Sequence, residues 1–232
     1  MPSSASLLLS LTALSAAQNC NAPPPAKDFD FSKFSGAWYE IARIQTPGGA
    51  ALQDWCACTE LIYSSTPGGA YGDLTTLNSC RFLEPSGFFL NATSYLENMT
   101  QPGHWLERYC PECPAASYNI ILDGEDSRGV PYAVEYDCSN NALFGNNYCL
   151  HFLSRQPLGF DTQLLNSLVK QATQAMKLNP ENRPLNHVSF VPRPKLPTRP
   201  ILPSLLSNPR TRHARTHTPF CPADAPTRVL VE

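Results

Sequence analysis

The chain has 232 residues, 42% hydrophobic and only 16% charged, with 23 prolines, nine cysteines and a formal net charge of −2. That length can enclose a ligand-sized core, while the prolines exclude a bundle of long helices. Residues 1–189 hold 10 Lys and Arg against 17 Asp and Glu, and residues 190–232 hold 7 against 2. An acidic body with a basic appendage excludes nucleic acid as the body's partner.

The chain opens on the apolar run Leu7–Ala17, too short at eleven residues to span a bilayer. With small residues at Ser15 and Ala17, it predicts a signal peptide over 1–17, cleaved before Gln18, and hence a secreted, extracellular protein. Nine cysteines agree with an oxidising compartment. The sequons at Asn91 and Asn98 are candidate glycosylation sites on the same route.

Strand signals then recur at short intervals: Trp38–Ile44, Thr59–Ser65, Tyr71–Cys80, Gly87–Leu96, Gly103–Tyr109, Ser117–Leu122, Pro131–Cys138 and Tyr148–Ser154. Each is rich in aromatic or β-branched residues, and Gly- and Pro-containing turn clusters separate them. Eight such strands predict an antiparallel sandwich or up-and-down barrel. Asp161 is then an N-cap for a helix to about Lys177, with Leu164, Leu165, Leu168, Val169, Ala172, Ala175 and Met176 on one face. Beyond it lies a Pro-rich basic tail, 191–232, expected to be disordered and read as a solvated appendage or as an adhesion segment for membrane or anionic surfaces.

Three motifs carry a resemblance. Gly36-Ala37-Trp38, continued by Tyr39, Glu40 and Ile41, resembles the opening of the first lipocalin strand. Pro131–Cys138 is similar to the family's seventh strand, and His151–Pro157 to the end of its eighth, where Arg155 precedes the helix. Order and spacing agree over residues 18–190, and the leader Asn19-Cys20-Asn21-Ala22-Pro23-Pro24 is most similar to the apolipoprotein D and bacterial lipocalin group. One departure is a longer acidic loop at Asp123–Gly129 before the seventh strand. The resemblance implies an all-β, eight-stranded lipocalin barrel over 18–190, with one helix packed outside it. It also implies a barrel-closing set of Gly36, Trp38 and Arg155, the guanidinium lying across the indole as a cation–π pair.

For the cysteines, the resemblance implies a Cys20–Cys138 bond that straps the leader to the barrel. Cys58 or Cys56 with Cys80 is a second candidate, and Cys149 can remain a buried free thiol. Cys110-Pro111-Glu112-Cys113 falls between two strands, which disfavours a redox motif and leaves a structural loop disulfide ahead of a zinc site. An odd total leaves at least one thiol free or intermolecular; a monomer is expected, with a dimer through that thiol as the alternative.

No catalytic motif, metal set or cofactor fingerprint appears, so no enzyme, metal or cofactor is expected. The expected function is carriage of a small hydrophobic ligand, of the fatty acid, sterol, retinoid or tetrapyrrole class, in the barrel cavity. Taken collectively, its candidate lining is Tyr63, Phe88, Leu90, Tyr95, Trp105, Tyr118, Ile120, Tyr132, Val134, Tyr136 and His151. Alternatives are an interaction or defence protein acting through its surface or basic tail, and a lipocalin-type enzyme acting on a lipid or carotenoid.

Overall fold

The structure, a computed structural model, describes residues 22–45, 53, 55–66, 72, 74–84, 86–98, 101–141, 145–157, 162–177 and 188–190. The expected signal peptide, Cys20, Cys221, the Asp161 cap and the tail lie outside the described residues.

A single-turn helix α1 (Phe31–Phe34) leads into the strands. They are β1 (Gly36–Gln45), β2 (Cys56–Ser65), β3 (Leu74–Phe82), β4 (Phe89–Asn98), β5 (His104–Arg108), β6 (Ala116–Glu125), β7 (Pro131–Asn141) and β8 (Gly145–Ser154). Helix α2 (Thr162–Lys177) and a short strand β9 (Val188–Phe190) follow. Each strand pairs antiparallel with its successor, and β1 pairs with both β2 and β8, so the sheet closes on itself as an eight-stranded up-and-down barrel. Closure removes the exposed edges that a sheet of this size would otherwise present. β9 adds to the second half of β1, Ala42 opposite Phe190.

Residues directly opposite one another on neighbouring strands share a face, so the register defines the interior. From Trp38 the inner face runs through Leu61 and Asn78 to Ala92. From Glu40 it runs the other way, through Leu153 to Ala133. The outer face of β1, β7 and β8 is also apolar. Ala42, Ile44, Val134, Tyr136, Leu150 and Phe152 pack there with Leu165, Leu168 and Ala172 of α2, all 5% exposed or less. That is why the helix has an apolar stripe.

The acidic loop expected at Asp123–Gly129 is strand over its first three residues and a tight turn over the rest. β6 continues to Glu125, and a tight turn reaches β7 at Pro131. Asp126 closes the turn by accepting from the backbone N–H groups of Arg128 (2.8 Å) and Val130 (2.9 Å). A carboxylate bonding the backbone two residues ahead builds a turn from within, so length in this segment went into the hairpin.

Cys56 bonds Cys80, joining the start of β2 to the end of β3, and Cys110 bonds Cys113 within the β5–β6 loop. Cys58 and Cys138 are also disulfide-bonded. Because the Cys56–Cys80 link closes the longer loop, with a sequence separation of 24, its replacement by an alanine pair should cost about 3 kcal/mol. A smaller cost follows for the Cys110–Cys113 pair. Guanidinium unfolding midpoints of the two double variants check the order.

Candidate functional site

The barrel has three zones of different chemistry. Its closed end begins at α1, where Asp30 accepts from the Ser32 backbone N–H at 2.9 Å and holds the short helix against β1. Phe29 and Phe34 pack there on Trp38, Tyr63, Trp105, Tyr118 and Ile120, every one 8% exposed or less. The Arg155 guanidinium lies 4.0 Å from the Trp38 ring centre and donates to the carbonyls of Ala37, Lys33, Phe34 and Ser35. The indole N–H donates to Phe34 O at 2.6 Å. Gly36 has φ of 99°, and a Cβ there would come within 3.2 Å of the Arg155 guanidinium. A glycine is therefore required both by backbone angle and by the closeness of the arginine.

The opposite end, the mouth, contains a cavity of about 220 Å³. Thr59, Asn78, Leu90, Ala92, Tyr109 and the Cys56–Cys80 bond line it. Trp55, Leu83 and Phe88 are exposed at this end, with the Phe88 ring tilted against that of Phe82, 4.9 Å between centroids.

Between plug and mouth runs a buried polar belt. Glu40 and Arg43 come from β1, Glu107 from β5, Glu135 and Asp137 from β7, and Cys149 and His151 from β8. Register puts Arg43 and Glu135 opposite His151, and Asp137 opposite Cys149. Glu40 pairs with Arg43 at 3.0 Å and with His151 Nδ1 at 2.7 Å. His151 Nε2 meets Asp137 at 3.2 Å. Tyr63 donates to Glu135 at 2.7 Å and also shares a hydrogen bond with the Tyr118 hydroxyl. Cys149 is a free thiol 3.9 Å from His151 Nδ1.

Burial and charge set these groups apart. Burial raises the Glu40 carboxyl, but Arg43, His151 and Thr59 outweigh it and hold the group at about 2. Burial, reinforced by the charge of Asp137, pushes Glu107 up to about 8. Burial also takes Glu135 to about 7, with His151 opposing and Asp137 adding. Burial favours a neutral His151 ring, yet Cys149, Glu135, Glu40 and the Asp137 bond together raise it well above the usual histidine range. Burial pushes the Cys149 thiol up.

Of the candidate lining residues, the structure places Leu90 at the cavity and His151 in the belt beneath it. Tyr63, Trp105, Tyr118 and Ile120 face inward but form the packed plug, with Tyr63 and Tyr118 also bonded into the belt. Three placements correct the expected lining. Val134 and Tyr136 face outward under α2, and Tyr132 packs on the same cluster. Phe88 is 61% exposed at the mouth. Tyr95 is opposite Thr75 and Arg108, one residue out of step with the inward Leu96. Asn91 is exposed on β4, and Asn98 ends that strand.

The sequence reading missed Glu40, Arg43, Glu107, Glu135 and Asp137. Charge in an alternating strand reads as the solvent face, and here the helix makes the outer face apolar instead. The available signal was parity: Glu135 and Asp137 alternate with Val134 and Tyr136, and Glu40 is two residues from Trp38. Glu135, Asp137 and His151 also bring one donor atom each within 4.8 Å of one another, a possible grouping for a metal ion. Carboxylates already occupy both His151 ring nitrogens, so a metal there must first displace one of them and a proton.

No protein-family model matches the chain. It is 26% identical over 140 residues to apolipoprotein D of Rattus norvegicus, covering 60% of this chain and 67% of the rat protein. It is 27% identical over 122 residues to apolipoprotein D of Mus musculus, covering 52% of this chain and 57% of the mouse protein. The matches thus span between a little over half and two thirds of those relatives. Among solved structures, insecticyanin from the tobacco hornworm Manduca sexta superposes with a TM-score of 0.50 at 19% identity, over 69% of this chain and 82% of that one, which bears on the fold. Closed barrel, outer helix and sequence likeness agree: the chain folds as a lipocalin-like barrel and is similar in sequence to apolipoprotein D.

Proposed function

We propose that the protein is a secreted carrier, and not an enzyme, that holds a small hydrophobic ligand of the fatty acid, sterol, retinoid or tetrapyrrole class in its barrel. The cavity of about 220 Å³ at the mouth carries this reading, because the closed end is already filled by its own aromatic side chains. Its volume suits a compact ligand or one end of a longer one. Each methylene taken out of water there contributes about 0.8 kcal/mol. Six of the seven described cysteines are disulfide-bonded, which supports an oxidising, extracellular address. A fully buried Cys149 whose thiol is pushed up by burial supports a non-catalytic role for that residue.

Trp55 borders the mouth and is 53% exposed, whereas Trp38 and Trp105 are buried in the plug. Ligand entry should therefore quench chiefly Trp55. In Trp55→Phe the quench should vanish while a calorimetric titration still reports binding. Flat titrations by both methods across all four ligand classes would sink the carrier reading.

A further inference from the structure

Charge on the inner wall is out of balance. Among the described residues, four carboxyl groups of the belt (Glu40, Glu107, Glu135 and Asp137) face two cationic side chains, Arg43 and His151. The cations are committed, Arg43 to Glu40 and His151 to Glu40 and Asp137. Glu107 and Glu135 are 5% and 2% exposed and form no ion pair within 4.0 Å among the described residues; the cation within 4.8 Å of Glu135 is His151, already bonded to Glu40 and Asp137. A buried carboxylate without a counter-cation is costly, so such a group either takes up a proton or waits for a cation. Asp137 adds a buried Oδ1 with no hydrogen-bond partner.

The belt touches the cavity at two points. Tyr109 lines the mouth and its hydroxyl bonds Glu107. Thr59 lines the same cavity and contacts Arg43 at 3.5 Å. Above the belt the wall is apolar, formed by Leu90, Ala92 and the Cys56–Cys80 bond. An apolar wall over an under-neutralised acidic floor suits a molecule with an apolar body and one positive end.

We propose that the barrel also takes a small amphipathic amine, its apolar body in the mouth cavity and its protonated nitrogen docked against Glu107 and Glu135. The inference rests on the carrier reading for its site and adds an amine to the ligands that site accepts. Glu107, pushed up to about 8 by burial and by the charge of Asp137, holds a proton near neutral pH. An incoming ammonium favours the carboxylates, so binding expels protons to solvent. The groups around them are Tyr63, Tyr109, Tyr118, Asp137 and His151. The tyrosines remain neutral, raised by burial and by the nearby carboxylates. The proton released on binding at about pH 7.5 therefore comes chiefly from Glu107.

Three probes with one ring and different ends test this by titration calorimetry of the full chain: tryptamine, neutral tryptophol and anionic indole-3-acetate. At about pH 7.5 tryptamine should bind about 10-fold or more tighter than tryptophol, with indole-3-acetate the weakest. Its apparent enthalpy should differ between phosphate and Tris, the sign of proton release. In Glu107→Gln and Glu135→Gln the preference for tryptamine should fall below about threefold while tryptophol binding stays, which also reports that the variant is folded. The two-buffer experiment on the unaltered protein decides the matter if a variant does not fold. Tryptophol binding as tightly as tryptamine overturns the amine proposal and leaves the carrier reading standing. No heat from any probe, with flat titrations of the four hydrophobic classes, overturns both. Zinc saturating at one ion per chain while tryptamine gives no heat overturns the proposal in favour of a metal at Glu135, Asp137 and His151.

Discussion

Trp38→Ala should lower the stability of the barrel by about 3–5 kcal/mol, the range for deleting a buried aromatic side chain. The indole is 3% exposed and sits between the Phe34 ring, at 5.0 Å, and the Arg155 guanidinium. Its loss opens the plug on one side and removes the apolar plate on which Arg155 rests. Arg155→Ala should follow in the same direction, since four α1–β1 carbonyl bonds go with it. Urea unfolding followed by circular dichroism measures both. Ligand affinity, taken at a temperature where the variants are still folded, should change by less than about threefold, because the cavity lies at the other end. A large drop in affinity with an unchanged midpoint would assign Trp38 to the ligand and not to the plug.

Glu40→Ala should be comparably severe, about 3–5 kcal/mol, because it leaves Arg43 and His151 as buried cations without their shared carboxylate. The same residue governs acid stability. Its folded pKa of about 2 is below the ordinary 4.5, so its contribution is complete above the unfolded value and is lost as pH falls through about 2. Glu107 and Glu135 act in the opposite sense. Their folded values, about 8 and about 7, exceed 4.5, so the protonated forms stabilise below that value and the contribution is lost as pH rises through 7 and 8. His151, raised above 6.5, likewise contributes below that value and loses its contribution on the alkaline side. Urea midpoints between pH 3 and pH 9 should therefore peak in mildly acidic solution, about pH 5. Glu107→Gln should flatten the alkaline limb and leave the acid limb intact. A midpoint that rises steadily to pH 9 would contradict the assigned protonation states.

The periodicity of the strands was legible because aromatic and β-branched runs alternate with Gly- and Pro-marked turns, a local property of the chain. Boundaries shifted by a few residues, as at β3, expected from Tyr71 and observed from Leu74. β9 was not visible: three residues beside a proline-rich stretch carry too little pattern, and only pairing with β1 makes them a strand. The plug was legible too, because Gly36, Trp38 and Arg155 belong to motifs whose order is fixed along the chain. The ligand wall was harder. Its expected lining was apolar, but apolarity alone cannot say which of three apolar environments a residue occupies. Tyr63 and Trp105 went to the plug, Val134 and Tyr136 to the helix interface, and Leu90 to the cavity.

By itself, then, the sequence determined the class of fold, the helix that follows the strands and the family resemblance, all of which depend on neighbours in the chain. Tertiary structure decided which face of each strand points inward. Because α2 covers β7 and β8 from outside, Val134 and Tyr136 are drawn out to it, and a one-residue alternation sends Glu135, Asp137 and His151 into the barrel. Only closure brings those side chains to Glu40 and Arg43 on the first strand, more than 90 residues earlier in the chain. The physical reason is that burial and pairing of charge are properties of an enclosed volume, and no window of sequence contains one.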